Sequence, residues 1–174
     1  MLQPGVGQHE LAAGEERVQG LTLGFGAAAR LGASRVQLRP SVAYGTSDHR
    51  LTGELRVSAG LGGTEVSLSG ARRVADFSDL AVVSPVVNSL AAQEGGADYG
   101  DYVLLHSALA GARHRLSGRT TLAISAGVEE SRSVAVRATP ATGSYRPNPA
   151  LGSGSYGVTR IELERASGGI GSKP

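Results

Sequence analysis

Leu51–Val74 reads LTGELRVSAGLGGTEVSLSGARRV, and this stretch decides the fold. Leu51, Leu55, Val57, Ala59 and Leu61 fall at every second position, opposed by Thr52, Glu54, Arg56 and Ser58. After Gly62-Gly63 the alternation restarts. Val66, Leu68 and Val74 now oppose Glu65, Ser67, Ser69 and Arg73. A period of two is the signature of a strand with two unlike faces. Two such runs on either side of two glycines predict paired strands.

The same pattern extends outward in both directions. Residues 19–31 place Leu21, Leu23, Phe25, Ala27, Ala29 and Leu31 on one face. Residues 35–45 set Val36, Leu38, Pro40, Val42 and Tyr44 against Arg35, Gln37, Arg39, Ser41 and Ala43. Residues 102–115 are less regular, with His106 and His114 among the apolar positions. From Thr120, Leu122, Ile124, Ala126 and Val128 oppose Thr121, Ala123, Ser125, Gly127 and Glu129. Residues 156–165 set Ile161 and Leu163 against Arg160, Glu162 and Glu164. Seven strands are predicted, most of them about 11 residues long, whereas soluble strands usually have five or six. A tilted strand that crosses a bilayer needs roughly 9–11. Pro40 cannot donate to a ladder, so it marks a bulge or an edge.

The joints alternate in size. Residues 32–34, 62–63 and 116–119 are short; 46–49, 75–101 and 139–154 are longer. In an up-and-down meander alternate joints lie at the same end, so one end is trimmed and the other elaborated. Transmembrane β-barrels have this layout. The fold expected is all-β, an antiparallel up-and-down meander forming a transmembrane β-barrel or barrel segment of about seven or eight strands. Residues 1–16 are expected as a flexible lead-in with a helix-compatible piece at Leu11–Glu16, 17–166 as the barrel domain, and 167–174 as a flexible tail.

Composition agrees with that reading. Gly is abundant, at 26 of 174 residues, and no apolar run approaches the roughly 18 residues of a membrane helix. The formal charge is only +2, with both signs interspersed, so no nucleic-acid footprint is present. All basic residues but Lys173 are Arg, which suits restricted ion pairs. The absence of Cys excludes disulfides and thiolate chemistry. Met1-Leu2-Gln3-Pro4-Gly5 has neither the basic nor the apolar region of a secretory leader, so an exported protein would be expected here as a mature form or a piece of a longer chain.

The polar positions form a set expected to line an interior: Arg35, Arg39, Glu54, Arg56, Glu65, Arg73 and Glu129, with Arg113 as a further member. The alternative is a solvated face on a soluble sheet. Tyr44, Phe77, Tyr99, Tyr102, Tyr145 and Tyr156 all fall at or beyond the long-loop end, and Tyr44, Tyr102 and Tyr156 are expected at a membrane interface.

Catalytic motifs are weak. Gly24-Phe25-Gly26-Ala27-Ala28-Ala29 fits a dinucleotide pattern, but another strand follows where the helix must stand. Ser47, Asp48 and His49 are contiguous, which does not make a triad. His106 and His114 are too far apart to share a metal. Asp76, Asp79, Asp98 and Asp101 could offer oxygen ligands to calcium but lack the EF-hand spacing. No cofactor and no metal is expected.

With these residues assembled, the chain resembles bacterial outer-membrane β-barrel proteins over roughly residues 17–166. Glu16-Arg17-Val18-Gln19-Gly20-Leu21-Thr22-Leu23-Gly24 looks like the entry strand of large barrels that follow a carboxypeptidase-regulatory-like domain, or of surface-antigen-type barrels. The resemblance implies outer-membrane residence, a lipid bilayer as main partner, with small solutes or other envelope proteins as further partners. It implies a structural, pore, transport or assembly role and carries no catalytic residues. Such barrels usually end in an aromatic, whereas this chain ends Gly168-Gly169-Ile170-Gly171-Ser172-Lys173-Pro174. Their strand counts are also even. A partial barrel from a larger protein, or a small eight-stranded one, is therefore expected. The competing class is a soluble secreted β-sandwich or open barrel that binds a ligand through its long loops; a third is an outer-membrane enzyme with loop-borne catalytic residues.

Overall fold

The computed structural model describes residues 9–16, as backbone, and 18–31, 35–76, 100–140, 142–150 and 152–166. Nine strands form one antiparallel sheet: β1 (His9–Glu16), β2 (Gly20–Ala27), β3 (Ala29–Arg30), β4 (Val36–Gly45), β5 (Leu51–Leu61), β6 (Thr64–Asp76), β7 (Tyr102–Arg115), β8 (Thr120–Ser133) and β9 (Gly154–Arg165). The spatial order is β1-β2-β4-β5-β6-β7-β8-β9, with β3 continuing β2 along β4. The result is an eight-stranded meander in one open sheet. Among the described residues no pair joins β9 to β1.

All seven predicted strands are present. The eighth is β1, within the stretch expected as a flexible lead-in, and Leu11–Glu16 is extended rather than helical. Its local sequence is a poor strand, HELAAGEE. The ladder along β2, from His9↔Ala27 to Glu16↔Gly20, supplies what propensity does not.

Turn chemistry fixes the register. Gly62 and Gly63 have φ of 55° and 92°, and Leu61 faces Thr64 across them. Positive φ at both central positions gives a primed turn whose twist matches the flanking strands. In the β7–β8 joint, the Ser117 hydroxyl accepts from the N–H groups of Arg119 and Thr120, at 3.3 and 3.1 Å. At the opposite end, Asp48 Oδ1 accepts the N–H of Arg50 at 3.1 Å, closing the β4–β5 turn, with His49 at φ 54°.

Pro40 marks neither a bulge nor an edge. β4 lies between β2 and β5, and Pro40 faces Leu55 on the β5 side. On the β2 side the ladder stops at Gly26↔Ser41 and resumes at Ala29↔Leu38 in unchanged register. The missing N–H of proline opens the ladder without shifting it.

Candidate functional site

Cross-strand partners share a face. The registers therefore sort every strand residue onto one of two surfaces. The apolar surface holds Leu23, Tyr44 and Leu51 in one lateral row, and Ala59, Val66, Ala112, Ile124 and Ile161 in another. The polar surface holds Ser41, Glu54, Ala71, Ser107, Glu129 and Tyr156 in one row.

Along the middle of the strands burial runs opposite to the soluble rule. Apolar side chains there are exposed: Leu68 is 65% exposed, Val128 60%, Ile161 70% and Leu163 68%, whereas the buried hydrophobics Val18, Tyr102, Val103, Leu104, Leu105 and Val134 all lie toward the long-loop end. Of the exposed large hydrophobics, all but Leu116 in a turn and Tyr156 lie on the apolar surface. The buried polar residues Thr52, Ser58, Glu129 and Ser131 lie on the other. At the long-loop end the rim draws together. Val18, in the β1–β2 joint, shares a buried cluster with Tyr102 and Leu104 of β7 and with Val134, although three strands lie between β2 and β7. Contact over that span requires a curved sheet.

The exposed apolar surface is a band with polar margins. On β6 it runs between Thr64 and Arg72, and on β7 between His114 and His106. Each pair is eight residues apart, which is about 27 Å at roughly 3.4 Å per residue. At the strand tilt of a membrane barrel, about 40°, this length would correspond to about 21 Å of thickness, against the roughly 25 Å apolar band of such barrels. At the trimmed margin, Thr64 Oγ1 and His114 Nδ1 are 2.8 Å apart. At the elaborated margin, Arg72 donates to the Leu51 carbonyl at 2.9 Å, and Arg132 pairs with Glu130 at 2.8 Å.

All seven residues expected inside, Arg35, Arg39, Glu54, Arg56, Glu65, Arg73 and Glu129, stand on the polar surface, as does Arg113. The structure does not gather them into one site. Arg39 faces Arg56 directly, Glu65 faces Arg113, and Glu129 lies farther along near the long-loop end. Glu129, 4% exposed, accepts two 2.8 Å hydrogen bonds from Arg160 Nη2, one on each carboxylate oxygen. Arg113 pairs with Glu164. Arg160 was legible in the β9 alternation, but its partnership required the β8–β9 register.

The three tyrosines expected at an interface separate. Tyr44 is exposed on the apolar surface, its hydroxyl 2.8 Å from His49 Nδ1. Tyr102 is buried in the rim cluster instead. Its N–H donates to Asn148 Oδ1 at 2.9 Å and its carbonyl accepts from Asn148 Nδ2 at 2.7 Å. Tyr156 lies on the polar surface opposite Glu129, because the phase set by Ile161 and Leu163 puts even-numbered positions of β9 on that surface.

The weak motifs gain no geometry. Asp48 is engaged with Arg50, and His49 with Tyr44. Asp76 accepts the Asp101 N–H at 3.0 Å and Asp101 pairs with Arg146 at 2.5 Å, whereas Asp79 and Asp98 lie outside the described residues. Most of the 75–101 loop also lies outside them. Among the described residues no group of three or more His, Asp or Glu could hold a metal ion, and no helix is long and apolar enough to cross a membrane. Comparison with known proteins returns no matching family model, no matching curated relative and no matching solved structure.

Proposed function

We propose that this chain forms the wall of an outer-membrane β-barrel, with a structural, pore, transport or assembly role and no catalysis of its own. The observation that carries the reading is the inversion of burial: Leu68, Ile161 and Leu163 stand outward while Glu129, Thr52 and Ser58 are covered. In water such a band violates the limit on contiguous apolar patches. In lipid it is the ordinary exterior of a barrel. The estimated thickness of the band and the division between trimmed and elaborated ends support the same environment.

The strand count fits closure. Eight strands are even, so β1 and β9 are antiparallel and their free edges can pair with each other. Left open, those edges are aggregation templates. Within a larger barrel they would instead join neighbouring strands. A closed eight-stranded barrel has an interior just wide enough for side chains. Here Gly26, Ser41, Ser58, Ser67, Gly111 and Ser125 keep much of the polar surface small.

Refolding into detergent micelles, followed by gel mobility of boiled and unboiled samples, tests the reading. A heat-dependent shift with a β-type circular dichroism spectrum is expected. A folded monomer that stays soluble without detergent would overturn it and favour the soluble ligand-binding domain.

A further inference from the structure

We infer that the ladder gap at Pro40 is a binding site for a small oxyanion, phosphate or carboxylate. The inference deepens the polar-interior reading and rests on it. Two independent observations meet at this place.

The first is charge. Arg39 on β4 and Arg56 on β5 are direct cross-strand partners on the polar surface. Like charges placed opposite each other destabilise a sheet. Among the described residues neither guanidinium has a carboxylate within ion-pair distance; Arg39 donates instead to Gln37 Oε1 at 3.2 Å. Arg30 stands on the same surface, opposite Gln37. Three guanidinium groups thus occupy three adjacent strands. Glu54 is the nearby carboxylate on β5, and it faces Ser41.

The second is space. A cavity of about 330 Å³ opens on the polar surface, lined by Arg39, Arg56 and Glu54 together with Gly26, Ala28 and Ser41. It sits where the β2–β4 ladder is interrupted between Gly26↔Ser41 and Ala29↔Leu38. Proline removes one donor there, and Gly26 and Ala28 put no bulk into the opening. Planar forked guanidinium groups recognise carboxylate and phosphate in a bidentate way. An oxyanion between Arg39 and Arg56 would cancel their mutual repulsion.

The test is isothermal titration of inorganic phosphate into the refolded full chain in zwitterionic micelles, at constant chloride. Saturable binding is expected. Arg39→Gln/Arg56→Gln should weaken it about tenfold or more, since each forked charge pair is among the strong hydrogen-bonding contacts. Pro40→Val, which restores the missing N–H, should close the gap and weaken binding with both charges in place. Arg165→Gln, on the apolar surface, should leave it unchanged. Absence of saturable binding by the parent, or parental affinity in the double-Gln variant, overturns the inference. If the double variant does not fold, parental affinity in singly substituted Arg56→Gln does the same. Gel mobility of the same samples keeps the readings apart. A heat-dependent shift without phosphate binding rejects the site and leaves the barrel. Phosphate binding lost in Arg56→Gln, in a chain that shows no shift, supports the site and rejects the barrel.

Discussion

Leu68→Arg is expected to be costly if its surface faces lipid and nearly neutral if it faces water. Leu68 lies on β6 between Val57 and Ala110, with its side chain 65% exposed on the apolar surface. It is four residues from Thr64 and four from Arg72, the polar margins of the band on that strand. Four residues span about 14 Å along the strand, or about 10 Å of depth at a tilt of about 40°. Leu68 therefore sits near the midplane of the proposed hydrocarbon layer. An Arg at that depth costs about 2–4 kcal/mol in a membrane barrel, and one near the interface about 0–1. The larger figure lowers the folded-to-unfolded ratio by roughly 30- to 700-fold, at tenfold per 1.4 kcal/mol. Leu61→Arg, at the trimmed margin and 61% exposed, is the matched control. If the surface faces water, both substitutions fall within about 0.5 kcal/mol of the parent. The assay is equilibrium urea unfolding in phospholipid vesicles, read by far-UV circular dichroism and gel mobility. Equal effects at the two positions, or a loss under about 0.5 kcal/mol at Leu68, would refute the depth argument.

Other predictions concern the joints and the polar surface. Arg160→Met leaves the Glu129 carboxylate covered and unpartnered, and should destabilise by about 1–3 kcal/mol, below the usual figure for a broken buried pair because Arg160 itself is 38% exposed. A double-mutant cycle with Glu129→Gln should recover part of that loss; strict additivity would count against the pair. Gly127→Val drives a side chain into the Ala108 carbonyl of the adjacent strand, and should lower the urea midpoint by the equivalent of about 1–3 kcal/mol. Gly63→Val requires φ of 92° from a β-branched residue, so slower refolding and a lower midpoint are expected, with Gly118→Ala, in open space, close to parental. Asn148→Ala removes hydrogen bonds to the Tyr102 N–H, the Tyr102 carbonyl and the Val134 carbonyl; amide exchange at Tyr102 should accelerate while exchange at mid-strand Ala110 stays slow.

Much of the strand layout was legible because period-two alternation is a local signal. Thr64 to Asp76 announces itself without knowledge of its neighbours, and Gly62-Gly63 announces its own turn. β1 did not, because HELAAGEE carries almost no apolar phase and becomes a strand through the edge of β2. The burial of Tyr102 was not legible for the converse reason. It starts β7, but it packs in a cluster with Val18, Leu104 and Val134, and Val18 is distant in sequence. The phase of Ile161 and Leu163 puts Tyr156 on the opposite surface from them, a relation the alternation alone carries.

The sequence by itself determined the two faces, the strand lengths and the placement of Arg35, Arg39, Glu54, Arg56, Glu65, Arg73 and Glu129 on one common surface, because which side chains share a face of a strand depends only on parity. Tertiary structure alone decided which of those charges meet. Arg39 against Arg56, and Glu129 within reach of Arg160, follow from register between strands. Register is a property of two segments and their joint, and no single segment encodes it.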